Sequence, residues 1–213
     1  MNQQVSPFKN LITSENELRS LTGFPSDLVT KKVITYLDNH CREFISLSPF
    51  LTLSTADQYG LCDASPRGDG PGFVLVVDDK HLIIPERPGN RRMDSISNIL
   101  TNPMVGLLFF IPGLGETLRI NGKASLVQDN DLLEKMSVKG KKPILGIGVE
   151  VSECYIHCAK AFKRSGLWDP QAWHDKDQLP SAAKILRDHV KLSEYTTEKL
   201  EELLEEDYKE GLY

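Results

Sequence analysis

Between Phe50 and His157 the chain consists of short apolar segments separated by turn-forming residues, and this pattern constrains the fold more than anything else in it. FLTLST (50–55) runs into the turn-like DQYG, and LCDASP (61–66) supplies a hairpin partner. FVLVV (73–77) and HLIIP (81–85) flank the charged turn DDK. VGLLFFI (105–111) reads as a buried strand, and TLRINGKASLV (117–127) as a longer one with Gly122 at a bulge. ILGIGVEVS (144–152) and CYIH (154–157) complete the set. Short runs of β-branched and aromatic residues bounded by turns are strands. About six of them with short connections predict a mainly β chain with flanking helices, closed into a barrel that leaves no edge exposed.

Helices surround this block. Ser14 and Glu17 form a capping box, and Pro25 with Asp27 marks a second start. Leu28, Val29, Val33, Ile34 and Leu37 follow at helical spacing, and a third helix spans His40–Leu47 before Pro49. Within the β region, Asn90 is placed to cap a helix over Arg91–Leu100, and Asp129 or Asn130 to start one through Met136. Phe162–Pro170 reads as a loop after the last strand, WDPQAWHDKDQLPS as a polar connection, and the tail from Ser193 as a helix. The expectation is one domain over 1–213: a helical segment 1–48, the barrel 49–170 and a helical extension 171–213.

The charge balance narrows the partners. A net charge of −5 gives no basic surface for neutralising phosphates in bulk, so nucleic acid is not an expected partner. Glu201, Glu202, Glu205, Glu206, Asp207 and Glu210 crowd the tail, leaving the middle more basic. No apolar run reaches the roughly 18 residues of a membrane span. MNQQVSPFKN lacks a signal-peptide pattern, so a cytoplasmic location is expected. Cys154 and Cys158 have no second pair of ligands nearby, so no metal is expected, and the four cysteines read as ordinary thiols.

Three stretches carry chemistry. In Pro88-Gly89-Asn90-Arg91-Arg92 a strand ends at a glycine turn and two arginines open a helix. A helix start favours acidic residues, so arginines there suit an anion bound in front of them; the plain alternative is two solvated side chains. Ser65-Pro66-Arg67-Gly68-Asp69-Gly70-Pro71-Gly72 is either a rigid functional loop or a wide hairpin turn. Phe162-Lys163-Arg164-Ser165-Gly166-Leu167-Trp168 either lines a planar ligand or uses Trp168 to anchor the loop, and the residues alone favour the anchor.

In this order the motifs SPRGD, FVLVV, LIIPERPGNRR, NPMVGLLFF, GETLRINGKASLV and KRSGLWDP resemble the pyridoxamine 5′-phosphate oxidase-like, FMN-binding split-barrel superfamily, over about Phe50–Pro170. The resemblance implies a six-stranded Greek-key split β-barrel. It also implies a homodimer with FMN at the subunit interface, and an oxidoreductase acting on a small molecule. It places the flavin phosphate on Arg91 and Arg92 with Asn90 in support. Pro85, Glu86 and Arg87 would run along the flavin and ribityl chain, with Ser65, Arg67, Gly68 and Asp69 on the preceding loop. Thr117 would lie near the ring system, and Arg164 and Trp168 would reach it from the partner subunit. The oxidase's substrate-recognising C-terminal Arg and His have no counterpart here, so oxidation of pyridoxamine phosphate is not expected. A non-catalytic flavin-binding protein, and the same barrel with haem or a deazaflavin, remain alternatives. No side chain is singled out as a general acid or base, because the flavin would carry the redox chemistry.

Overall fold

The computed structural model describes residues 7–213, so the first six residues, on which part of the leader and helical-segment readings falls, lie outside the described residues. It divides into a unit ending at Val33 and a larger one, Ile34–Tyr213. In the first, Ser14 caps α1 (Glu15–Thr22) by accepting from the Glu17 N–H at 3.2 Å. Glu17 reaches back to the Thr13 N–H at 3.2 Å, one residue before the cap, so Ser14 acts as the capping box predicts while Glu17 covers the neighbouring N–H instead of that of Ser14. α2 (Asp27–Lys31) is only five residues long. The expected helical face from Leu28 to Leu37 is therefore not continuous: Leu28 and Val29 are exposed, Ile34 bridges to Cys154, and Leu37 is buried. A new cap at Asp38, which accepts from the Cys41 N–H at 2.8 Å, restarts the chain as α3 (Asn39–Leu47).

The larger unit holds one antiparallel sheet of seven strands. These are β1 (Phe50–Ala56), β2 (Cys62–Gly68), β3 (Leu75–Val76), β4 (His81–Pro85), β5 (Met104–Phe110), β6 (Thr117–Val127) and β7 (Gly146–His157), in the order β2-β1-β5-β6-β7-β4-β3. The expected six-stranded closed barrel is corrected on both counts: there are seven strands, and the ladder stays open at β2 and β3. The sequence gives the physical reason for β2. Pro66 sits inside it, paired with Thr52, and a residue without an N–H is tolerated only on a strand with one free side. Ser65–Gly68 thus belongs to an edge strand and not to a loop.

The longest ladder joins β6 and β7 and shifts register between Asn121 and Gly122, the position predicted for a bulge. Asn121 opposes Glu153 and Gly122 opposes Val151, which leaves Ser152 as the extra residue. The shift resets the phase of β7. Ile147, Val149 and Val151 face the core, and Cys154 does so again three residues later. Without the bulge one half of β7 would turn its apolar residues outward.

The inner face of the sheet supplies Leu51, Leu53, Leu82, Ile84, Leu107, Phe109, Leu118, Ile120, Ile147 and Val149 to one core. Leu37 just before α3, Cys41 and Ile45 of α3, and Ile96 and Ile99 of α4 (Asp94–Thr101) cover it. Within it the Cys41 and Cys154 sulfurs lie 3.3 Å apart, while Cys158 is exposed, so Cys154 and Cys158 face different surroundings. α5 (Asn130–Glu134) is capped by Asp129. α6 (Lys160–Ser165) occupies part of the stretch expected as a loop, and α7 (Ala182–Val190) lies within the helical extension expected over 171–213. α8 (Thr197–Glu210) is the expected acidic tail helix. Among the described residues no helix is long and apolar enough to cross a membrane, and no three His, Cys, Asp or Glu side chains gather as for a metal.

Gly122 gives a direct test of the bulge. A Cβ there would stand 2.2 Å from the Glu150 carbonyl oxygen and 3.0 Å from Val149 Cγ1. Gly122→Ala is expected to cost about 3 kcal/mol in urea unfolding. Gly70→Ala, whose Cβ meets nothing within 4 Å, is expected to change stability by less than about 1 kcal/mol.

Candidate functional site

Two strand ends and a helix start enclose a cavity of about 410 Å³. β2 contributes Ser65, Arg67 and Gly68; the end of β4 contributes Pro85 and the segment after it Glu86 to Met93; α4 contributes Asp94 and Ser95. The cavity therefore gathers nine of the residues singled out in the sequence: Ser65, Arg67, Gly68, Pro85, Glu86, Arg87, Asn90, Arg91 and Arg92. Asp69 lies in an adjoining cavity of about 320 Å³ that shares Arg87. Thr117 and Arg164 lie in a third, of about 500 Å³, which has no lining residue in common with the first. Trp168 lines none of the three. Its ring stacks on Phe162 (centroids 5.6 Å apart) and its indole N–H donates to the Leu114 carbonyl at 2.9 Å, the anchoring role.

The helix expected over Arg91–Leu100 starts later. Arg91 and Met93 both have φ of +59°, a left-handed turn that cannot continue into an α-helix. Asn90 caps this turn instead of the helix, accepting from the Arg92 N–H at 3.0 Å. The two arginines thus stand in the loop that leads into α4, not in its first turn.

The charges of the first cavity are mostly engaged. Arg67 Nε is 3.4 Å from Glu86 Oε2, with both side chains largely buried (18% and 14% exposed). Neither of these two atoms makes a hydrogen bond, although both are shielded from solvent. Burial pushes the Glu86 carboxyl above the usual range, and Arg67 only partly opposes this. Arg87 donates to Asp69 at 2.8 Å and to the Met136 carbonyl at 2.9 Å. Asp69 also accepts from the Tyr213 hydroxyl at 2.7 Å. Burial works against the Asp69 charge, but Tyr213, the Gly70 N–H and Arg87 together hold its carboxyl below the ordinary range. Arg92 pairs with Asp94 at 2.5 Å. Four guanidinium groups thus face two lining carboxylates, and among the described residues Arg91 is the cation of this cavity without an ion pair.

Beneath the cavity lies a polar network that the sequence reading missed. Ser65 donates to Asp63 at 2.9 Å, and Ser95, at the start of α4, donates to both Asp63 and Ser65. Asn98 and Thr55 extend the chain of contacts. The network ties β2 to α4 and so fixes the width of the cavity. Its signal was present: Asp63, Ser65 and Arg67 alternate, and alternate residues of a strand share a face. Reading SPRGD as a loop hid it.

The family profile described as pyridoxamine 5′-phosphate oxidase matches residues 37–158, more than half of the chain. The chain belongs to this family. The match spans α3 and all seven strands and includes every residue lining the first cavity. No curated protein matches the sequence. Similar solved structures include HupZ from Group A Streptococcus (16% identity, TM-score 0.45), covering 55% of this chain and 90% of that one. An FMN-binding protein from Syntrophomonas wolfei subsp. wolfei (10% identity, TM-score 0.43) covers 67% of this chain and 96% of that one. PhzG from Burkholderia lata 383 (13% identity, TM-score 0.37) covers 53% and 70%.

Glu86 makes the electrostatics testable. A carboxyl raised by folding binds its proton more tightly in the native state, so stability falls as pH rises through and above the usual carboxylate range. Glu86→Gln removes that loss. The thermal midpoint of the variant, relative to the parent, should therefore rise between pH 4 and pH 7; a fall over this interval would contradict the assignment.

Proposed function

We propose that this member of the family is an FMN-dependent oxidoreductase acting on a small molecule, and that it works as a homodimer with the flavin at the subunit interface. The observation that carries the reading is Arg91, an unpaired cation on a tight turn at the entrance to α4. The first N–H groups of a helix lack partners within it and suit a bound phosphate. The residues also fit the rest of such a ligand. Arg67 Nε and Glu86 Oε2 are a buried donor and acceptor without hydrogen bonds, and a molecule with both kinds of group satisfies them together.

In this reading Arg91 and Arg92 hold the phosphate, and Asn90 keeps their turn in shape. Ser65, Arg67 and Gly68 on β2, with Pro85 at the end of β4 and Glu86 and Arg87 after it, form the wall along the remainder. Asp69 orients Arg87 from behind. Thr117, Arg164 and Trp168 lie apart from this cavity within one chain; in the proposed dimer Arg164 and Trp168 reach the ring system from the partner subunit, and Thr117 lies near it. When bound, FMN supplies the redox chemistry, taking a hydride from one partner and passing electrons to another. The protein's part is to bind, orient and shield it.

The absorption spectrum of the purified protein, recorded after adding FMN and removing the excess, tests this. A retained flavin spectrum supports the reading, and a protein that stays colourless overturns it. Arg91→Ala together with Arg92→Ala should weaken FMN binding by about 3 kcal/mol, roughly a hundredfold in Kd, by fluorescence titration. Arg91→Ala alone should account for most of this, because Arg92 is already paired with Asp94.

A further inference from the structure

Cys41 and Cys154 lie 113 positions apart in the sequence, yet their sulfurs stand 3.3 Å from each other. Both are buried, Cys154 completely and Cys41 at 6% exposure. The other two cysteines, Cys62 and Cys158, are exposed. Cys154 also holds the start of the strap that leads to Cys41. Its N–H donates to the Ile34 carbonyl at 2.7 Å, and its carbonyl accepts from the Ile34 N–H at 3.0 Å. The chain then runs from Ile34 to Cys41 and meets the same residue again, sulfur to sulfur. In between, the Leu37 N–H donates to the Asp79 carbonyl at 2.7 Å, and Lys80 Nζ donates to the Thr35 carbonyl. A short segment held by a few hydrogen bonds and one buried side chain opens locally more readily than the sheet beneath it, and opening exposes the sulfurs.

The two thiols are not equivalent. As Cys41 ionises, the Cys154 S–H donates to its sulfur. That hydrogen bond holds the Cys41 thiol below the ordinary range, against burial and Asp38, and pushes the Cys154 thiol up, with burial adding to the rise. The thiolate is the attacking form, so Cys41 is the nucleophile and Cys154 the resolving thiol. A disulfide bond is about 2.05 Å long, which leaves ~1.3 Å for the sulfurs to close.

We propose that Cys41 and Cys154 form a reversible redox site: a small disulfide of the glutathione class oxidises them to an intramolecular disulfide that fastens the strap and α3 to β7. The Cys41 thiolate attacks one sulfur of the small disulfide, forms a mixed disulfide and releases one small thiolate. Cys154, no longer hydrogen-bonded to a thiolate, gives up its proton and attacks the Cys41 sulfur. This closes the protein disulfide and releases the second small thiolate. Two protein thiols lose two electrons and two protons, and the small disulfide gains them as two thiols. A bond that closes so long a loop constrains the unfolded chain and raises stability. Thiols that serve only as small apolar packing groups do none of this. The site is independent of the flavin reading.

The test uses the full chain with Cys62→Ser and Cys158→Ser, so that the buried pair are its only thiols. The folded protein is incubated with glutathione disulfide, free thiols are then alkylated with iodoacetamide in denaturant, and the intact mass is read. The mass should lie ~2 Da below that of the reduced protein, with neither alkylation nor a glutathione adduct. The thermal midpoint of the oxidised form should lie about 5–10 °C above that of the reduced form, and dithiothreitol should return it. Cys154→Ala should stop at a glutathione adduct on Cys41, and Cys41→Ala should react at least about tenfold more slowly. If either variant does not fold, the mass and midpoint of the chain that keeps the pair decide. Two alkylated thiols at equilibrium, a glutathione adduct that persists on the pair, or a disulfide that lowers the midpoint overturns the proposal. Faster reaction of Cys41→Ala than of Cys154→Ala overturns the order of attack.

Discussion

The eleven-residue ladder between β6 and β7 is the constraint on which the larger unit depends. β5 and β1 attach to one side of this pair and β4 and β3 to the other, so the register of β6 on β7 sets which face of every strand is buried. The bulge at Asn121 and Gly122 lets β7 keep its apolar side inward from Ile147 to Cys154. The same alternation gives the sheet its second surface. Ile120 points to the core, while Arg119 and Asn121 on either side of it point into the outer cavity. One pairing pattern thus builds the core and places a set of cations.

The first cavity depends on a different balance. Buried guanidinium groups carry a desolvation cost that partners must offset. Arg87 has a full set: Asp69, the Met136 carbonyl and the face of Tyr213. Arg67 donates from Nη1 to the Pro66 carbonyl at 2.9 Å, but its Nε faces only a distant carboxylate that burial itself disfavours as an anion. The pocket is therefore rigid at Arg87 and underdetermined at Arg67 and Glu86, and it leaves Arg91 uncompensated on a left-handed turn. A site built to receive a ligand shows this division, with some groups locked by the protein and others left for the ligand to complete.

How far the sequence reveals this arrangement depends on the length scale of each signal. The capping box at Ser14, the strands from Phe50 to His157 and the bulge at Gly122 are local, and short windows carry them. The clustering of Arg67, Glu86, Arg87, Asn90, Arg91 and Arg92 was legible because the resemblance fixed how distant strands meet. Other features were not legible for stated reasons. The helix before Leu37 fails because Ile34 pairs its backbone N–H and carbonyl with Cys154 of β7, a long-range bridge that an apolar spacing does not announce. Arg91 and Arg92 fall outside α4 because the turn preceding it is left-handed, and neither residue type announces that. The network of Asp63, Ser65 and Ser95 joins residues about thirty positions apart, so it emerges only when SPRGD is recognised as an edge strand. Strand count was misjudged although FVLVV, which holds β3, reads as a strand, because the resemblance implies six; closure was misjudged because Pro66 on β2 leaves that side of the sheet open.

The charge distribution joins these observations. The chain is acidic overall, and α8 alone carries Glu198, Glu201, Glu202, Glu205, Glu206, Asp207 and Glu210. Yet both the cavity at α4 and the one on the outer face of the sheet have more cations than carboxylates in their linings. Over distances beyond about 10 Å, salt screens individual charges and only the broad balance acts, so a long polyanion gains little from this surface. At contact distance, in partly desolvated cavities, a few guanidinium groups outweigh the distant carboxylates.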